Sequence, residues 1–298
     1  MEVSHMKALF SLLLVSTLIL TAHGKPKRKM KPVPQDRIDQ IDAAVKQVKA
    51  QPTTSKRRIL LFSYSEGFFH QCIPTAAKAL DKLGAATGAY TVEHSTDMNV
   101  FTTEKLADFD AIIFNNTTHL SFKNHDHRKA LMAFIKSGKG IIGIHAASDS
   151  FGTWPEASAM IGGMFDLHPW TAKGTWKVKI DEPEHPLNQS FDKAGFAIKD
   201  EIYQFKAPYS RDNLRVLLSL DMSDERNQKV DKKKIHRTDN DFAISWVRSY
   251  DKGRVFYCSL GHNHEVYWNV PVLQHYLLGI QYALGDLKID DAPVGAPK

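Results

Sequence analysis

The residues Gly143-Ile144-His145-Ala146-Ala147 continue the apolar run Ile141-Ile142. The run reads as a buried strand, and a strand that ends in a small-residue turn aims its next side chain into a crevice. In α/β enzymes with a nucleophile elbow that side chain is Ser or Cys. Here it is His145, whose imidazole ligates metals or moves protons rather than accepting an acyl group. Fourteen histidines in 298 residues exceed the usual share. Four of them, His70, His145, His168 and His262, each stand just after a predicted strand or in a glycine-bearing turn. Glu201 lies in Asp200-Glu201-Ile202-Tyr203, on an alternating strand. Imidazoles with one carboxylate suit zinc, manganese or a similar divalent ion. No compact metal motif such as HExxH is present, so the expectation rests on topology.

Four short apolar stretches alternate with helical ones. Strands are expected at 59–62, near 90–93, at 111–114 and at 140–144, with helices over 74–83 and 125–137. This order predicts a doubly wound, mostly parallel sheet flanked by helices. Sites in such sheets lie beyond the carboxyl ends of the strands. Residues 64–70, 115–119 and 145–149 fall there. The second half brings alternating stretches at 176–180, 202–205, 216–218 and 243–247, read as extra antiparallel strands. Residues 254–258 form a strand leading to Gly261-His262, and 270–284 form a closing helix. Residues 223–240 are read as an exposed polar loop, and His125, Asp126 and His127 as surface residues at a helix start.

Asp149 stands four residues after His145 and reads either as an orienting partner of its ring or as a helix cap. Trp154 reads either as a sugar-stacking ring at the cleft or as packing. Gly162-Gly163 is not part of GxGxxG, so no nucleotide cofactor is expected. A strand-end turn is expected to tolerate His145→Ala.

The formal charge is +6. Residues 25–31 hold five cations and no acid, and residues 1–24 sum to zero, so the rest of the chain is near neutral. That argues against a nucleic-acid partner, which needs a basic patch on the folded body. Residues 1–24 read as a signal peptide: Ala8 to Leu20 is apolar, and Ala22-His23-Gly24 suits cleavage. The apolar run is too short for a transmembrane anchor. The expected localisation is periplasmic or secreted. Cys72 and Cys258 either pair or remain two buried thiols. The expected organisation is a signal peptide over 1–24, then a basic leader, amphipathic helix and linker over 25–55. One α/β domain follows over 56–286, and a tail over 287–298.

Residues 57–285 resemble the trehalose-utilisation, ThuA-like family, whose fold is like that of class I glutamine amidotransferases. The matching pieces are Glu66-Gly67-Phe68-Phe69-His70 with Ile73-Pro74, and Gly143-Ile144-His145-Ala146-Ala147-Ser148-Asp149. Next come Ile161-Gly162-Gly163-Met164-Phe165 with His168-Pro169, and Asp200-Glu201-Ile202-Tyr203. The last are Gly253-Arg254-Val255-Phe256-Tyr257 and Leu260-Gly261-His262. The resemblance implies carbohydrate catabolism and a link to oxidised (3-keto) glycosides. The amidotransferase nucleophile does not carry over, because His145 stands in its place. The leading expectation is a carbohydrate-processing enzyme using acid–base, metal-assisted chemistry. His145, Glu201 and His262 would hold the metal. His70 or Asp149 would move a proton, and Tyr203 would donate to the leaving oxygen. Glu66, Trp154 and His168 would touch the sugar. A non-catalytic carbohydrate- or partner-binding domain on the same fold is the second reading.

Overall fold

A computed structural model describes residues 30–295. The expected signal peptide and most of the basic leader lie outside the described residues. The strands are β1 (Arg58–Phe62), β2 (Thr91–Ser95), β3 (Ala111–Asn115), β4 (Gly140–Ile144), β5 (Met164–Trp170) and β6 (Thr175–Ile180). They continue with β7 (Phe196–Lys199), β8 (Ile202–Lys206), β9 (Arg215–Leu220), β10 (Ala243–Tyr250) and β11 (Gly253–Cys258). Nine form one sheet in the order β2-β1-β3-β4-β11-β10-β9-β6-β7. The pairs from β2 to β11 are parallel, and those from β11 to β7 antiparallel. The fold class is therefore the expected one, an α/β protein with an antiparallel extension.

The central parallel strands are apolar over most of their length because both faces are covered. In β1, Ile59 and Leu61 join the core on one face, with Leu80 and Leu277 from the helices Ile73–Thr87 and Val270–Leu284. Leu60 and Phe62 join the opposite core, with Leu131 and Ile161 from the helices His125–Lys136 and Pro155–Ile161. The strand periodicity of two sorts these side chains between the layers.

Several elements differ from expectation. The helical spacing of Ile38, Ile41, Val45 and Val48 predicts a first helix over 36–50, whereas the observed helix spans Gln35–Val45. Beyond it the Gln274 side chain clips the backbone of Lys49, and Gln281 clips that of Gln51, each through two 2.8 Å hydrogen bonds. These amide clamps, with Pro52 following, hold the segment off the helical path. Strand β5 was not legible, since Asp166, His168 and Pro169 interrupt its apolar pattern. Antiparallel pairing with β8 holds it as a separate two-stranded sheet. His127 is buried, whereas His125 and Asp126 are exposed. In the tail Asp290 pairs with Arg215 at 2.6 Å. Cys72 and Cys258 are both buried free thiols.

Buried His275 places Nδ1 2.8 Å from the Leu187 carbonyl and Nε2 2.8 Å from Ser245 Oγ. Burial lowers its pKa from 6.5 to about 4. As pH falls, the unfolded chain therefore takes up this proton first. The stability contributed by neutral His275 is complete above about pH 6.5 and is lost toward pH 4, at about 1.4 kcal/mol per pH unit. Urea melts across this range should show a shallower pH slope in His275→Gln than in wild type. Equal slopes would rule the effect out.

Candidate metal centre

Strand β4 delivers His145 to the carboxyl edge of the sheet. The residue has φ of 49°, a conformation that is uncommon for a side chain with Cβ and is tolerated where surrounding structure enforces it. Gly143 makes room for the turn: a Cβ there would lie 2.7 Å from Tyr257 Cδ2. The Tyr257 hydroxyl donates to the His145 carbonyl at 2.6 Å. The His145 ring is fully buried. Its Nδ1 lies 2.6 Å from the Ser259 carbonyl, so Nδ1 carries the proton and donates it. The Nε2 lone pair is left facing the crevice.

Three more groups meet it. His70 follows β1, His262 follows β11, and Glu201 begins the segment that enters β8. One ligand atom from each of His70, His145, Glu201 and His262 can be chosen so that all four lie within 4.8 Å of one another. The His70 ring stands edge-on to those of His145 and His262, with centroids 4.8 and 5.2 Å away. Glu201 Oε1 is 3.2 Å from His262 Nδ1 and 3.8 Å from His145 Nε2.

Asp200, fully buried, supports this arrangement. Its two oxygens accept the backbone N–H groups of Gly261 at 2.6 Å and Asn263 at 2.8 Å. The two acids in sequence therefore divide the work. Asp200 grips the turn that carries His262, and Glu201 faces the ring. Gly261 can take this turn because its φ is +130° and a Cβ would sit 2.5 Å from the Tyr267 hydroxyl. Burial raises the Asp200 pKa to about 7 against the opposing effect of those N–H donors.

The donor set fits a divalent ion. The Nδ1 atoms of His70 and His262 are buried and make no hydrogen bond. Buried polar atoms without partners are rare in folded proteins. Although His262 Nδ1 is close to Glu201, the two are not aligned for a hydrogen bond, and the contact acts through charge. A tetrahedral zinc site separates its nitrogen and oxygen ligands by about 3.4 Å, so a small contraction of this cluster suffices. Ligation needs neutral imidazoles. Burial, then the neighbouring imidazoles His262 and His168, bring His70 down to about 3. Burial and the charges of His70 and His262 also lower His145. Burial lowers His262 as well, but Glu201 and Asp200 outweigh it and the net shift is upward.

The other expected site residues fall in different places. His70, expected as a proton carrier, stands within the ligand set. His168 borders the set, with Nδ1 3.3 Å from Glu201 Oε2. The Tyr203 hydroxyl is 2.8 Å from His145 Nε2. Asp149 does not orient His145, because the Ser259 carbonyl holds that ring. Asp149 instead pairs with His119, whose Nε2 is 3.2 Å away and whose backbone N–H donates to the Asp149 carbonyl at 3.0 Å. Glu66 accepts from the backbone and hydroxyl of Ser121, at 3.2 and 2.9 Å, which ties the β1 loop to the β3 loop. Trp154 is no cleft residue: it is 6% exposed and packs on Phe122, Phe151 and the Arg128 guanidinium.

Sequence reasoning missed Asp200 and Phe68. The Asp200-Glu201 pair was visible, but nothing local told a clamp from a ligand. Phe68 is 65% exposed, and its ring lies 4.8 Å from that of His70. An apolar residue inside the Glu66-to-His70 motif was the available signal.

A doubly wound, mostly parallel sheet with His145 at a strand-end turn of its carboxyl edge defines an α/β protein of the expected fold class. Residues 58–283 match the ThuA family, described as trehalose utilisation, and the chain belongs to that family. Among solved structures, it is similar to one described as a ThuA-like protein from Bacteroides uniformis. The identity is 22% over 78% of this chain and 94% of that one, with a TM-score of 0.60. A second, described in the same words and from Parabacteroides merdae, is 15% identical over 82% of this chain and 94% of that one, with a TM-score of 0.56. Both likenesses concern the fold. No curated protein matches the sequence. Among the described residues no helix is long and apolar enough to cross a membrane.

Proposed function

We propose that this protein is an exported, divalent-metal-dependent enzyme that cleaves an oxidised (3-keto) glycoside. The observation that carries the reading is the convergence of His70, His145, Glu201 and His262 at the carboxyl edge of the sheet, with the buried Nδ1 of His70 making no hydrogen bond. The family's link to trehalose utilisation supports a carbohydrate substrate. The signal peptide read in residues 1–24 favours a glycoside met outside the cytoplasm.

A 3-keto group acidifies the neighbouring C2–H. Removal of that proton lets the C1–O bond break while a C1–C2 double bond forms, and the leaving oxygen then takes a proton. A metal held by the four ligands would supply electrostatic stabilisation of the keto oxygen as charge develops there. Asp149 and His119 are the proton-moving pair. Asp149 closes the 3-10 turn that begins at His145, and His119, from the loop after β3, lies against the loop that carries His70, where a Cβ on Gly67 would meet its ring at 2.6 Å. His119 presents its ring to solvent while Asp149 holds it, an arrangement suited to general acid–base transfer. His168, beside Glu201, is placed to bind a sugar hydroxyl. Phe68 offers an exposed apolar face at His70.

The test is turnover of a panel of 3-keto-glycosides and their unoxidised parents by metal-loaded and chelated protein. Cleavage confined to the keto substrates and abolished by chelation is the expected result. Full activity after verified metal removal would sink the metal part. Saturable sugar binding without any turnover would favour the binding-domain reading.

A further inference from the structure

The His145 ring has one free lone pair and two claimants. Its Nδ1–H is committed to the Ser259 carbonyl at 2.6 Å, which leaves Nε2 as the only ring atom able to accept a proton bond or ligate. The Tyr203 hydroxyl lies 2.8 Å from Nε2 and donates to it. Nε2 is also the His145 atom that faces Glu201 Oε1, at 3.8 Å, within the four-ligand cluster. A lone pair engaged in an O–H···N bond is not available for coordination. Groups that support a metal-bound histidine bind its other nitrogen, and here the Ser259 carbonyl already fills that place. Tyr203 therefore competes for the ligating atom.

We infer that Tyr203 is a donor displaced by the metal, an inference that rests on the metal-centre reading above. Without the ion, the hydroxyl caps His145. When an ion takes Nε2, the hydroxyl loses the one hydrogen bond it makes among the described residues. Of the groups around it, the Phe165 and Phe205 rings offer no acceptor, and His145 and the Glu201 carboxylate belong to the candidate ligand set that the ion would take up. A buried hydroxyl seldom stays unpaired, so the released O–H turns to an oxygen of a bound sugar. Metal loading thus frees the donor that the substrate uses, and the metal-free protein withholds it.

Tyr203→Phe removes the competitor and keeps the ring. Competition against a chromophoric chelator, with zinc and with manganese, should give about two- to tenfold tighter metal binding in the variant, the worth of one buried hydrogen bond. The metal-free variant should melt below metal-free wild type, and metal should raise its melting point by more. A second measurement uses wild type alone: metal addition should produce a tyrosine ultraviolet difference spectrum, absent from Tyr203→Phe. Unchanged or weaker affinity in a cooperatively folding variant overturns the inference and leaves the metal centre standing. If the variant does not fold, a wild type that binds metal with no tyrosine signal overturns it equally. A wild type that binds neither ion overturns the metal centre and the inference together.

Discussion

Glu201→Gln should weaken binding of a divalent ion by at least about 100-fold, more than the 10- to 100-fold typical of outer-shell changes. Turnover should fall by about 10²–10⁴, the range for loss of a positioned catalytic group. The substitution keeps the shape and removes the charge. Glu201 is the only acid in the ligand set, and it faces His262, His168 and His145 at 3.2, 3.3 and 3.8 Å. The metal-free variant should melt close to wild type, because no buried partner is left without its hydrogen bond. Titration calorimetry with the purified metal-free protein checks the affinity, and a thermal melt checks the fold. Wild-type affinity in folded Glu201→Gln would remove this residue from the site. His145→Ala is a poorer probe than the sequence suggests. The ring is fully buried, its loss orphans the Ser259 carbonyl, and alanine would have to hold a φ of 49°. Its fold should suffer along with its function.

Asp200→Asn should have the second largest effect. The carboxylate takes two backbone N–H bonds, from Gly261 and Asn263, inside a fully buried site. Asparagine can accept only one, and its amide turns a donor toward the other N–H. Loss of a charge-assisted hydrogen bond costs about 1.5–3 kcal/mol, and the turn bearing His262 is released. Metal affinity should fall about 10- to 100-fold, as for other residues that hold a ligand in place. Chemical melts and metal titration on the same preparation read both effects. A destabilised variant with wild-type metal affinity would confine Asp200 to a structural role.

The sequence by itself determined the frame and the edge at which chemistry gathers. Stretches such as Ile59–Phe62 and Gly140–Ile144 are apolar at every position but the glycines. That pattern is required of parallel strands covered on both faces, and it places His70, His145 and His262 at strand ends. Periodicity reports which faces are buried, so it carried the sheet and the strand-end position of three of the four candidate ligands, though it marked His70 for proton transfer and not for ligation. Tertiary structure decided which group meets which. His70 joined the candidate ligand set because β1 lies two strands from β4 in the sheet. Asp149 turned to His119, and Tyr203 to His145, through packing between segments far apart in sequence. Trp154 went into the core because Phe122 and Phe151 surround it, which no local spacing reveals. Strand β5 exists through its pairing with β8, against its own interrupted pattern. A side chain's type restricts its chemistry, but its partner is chosen by contacts between distant segments, and those form only when the layers close.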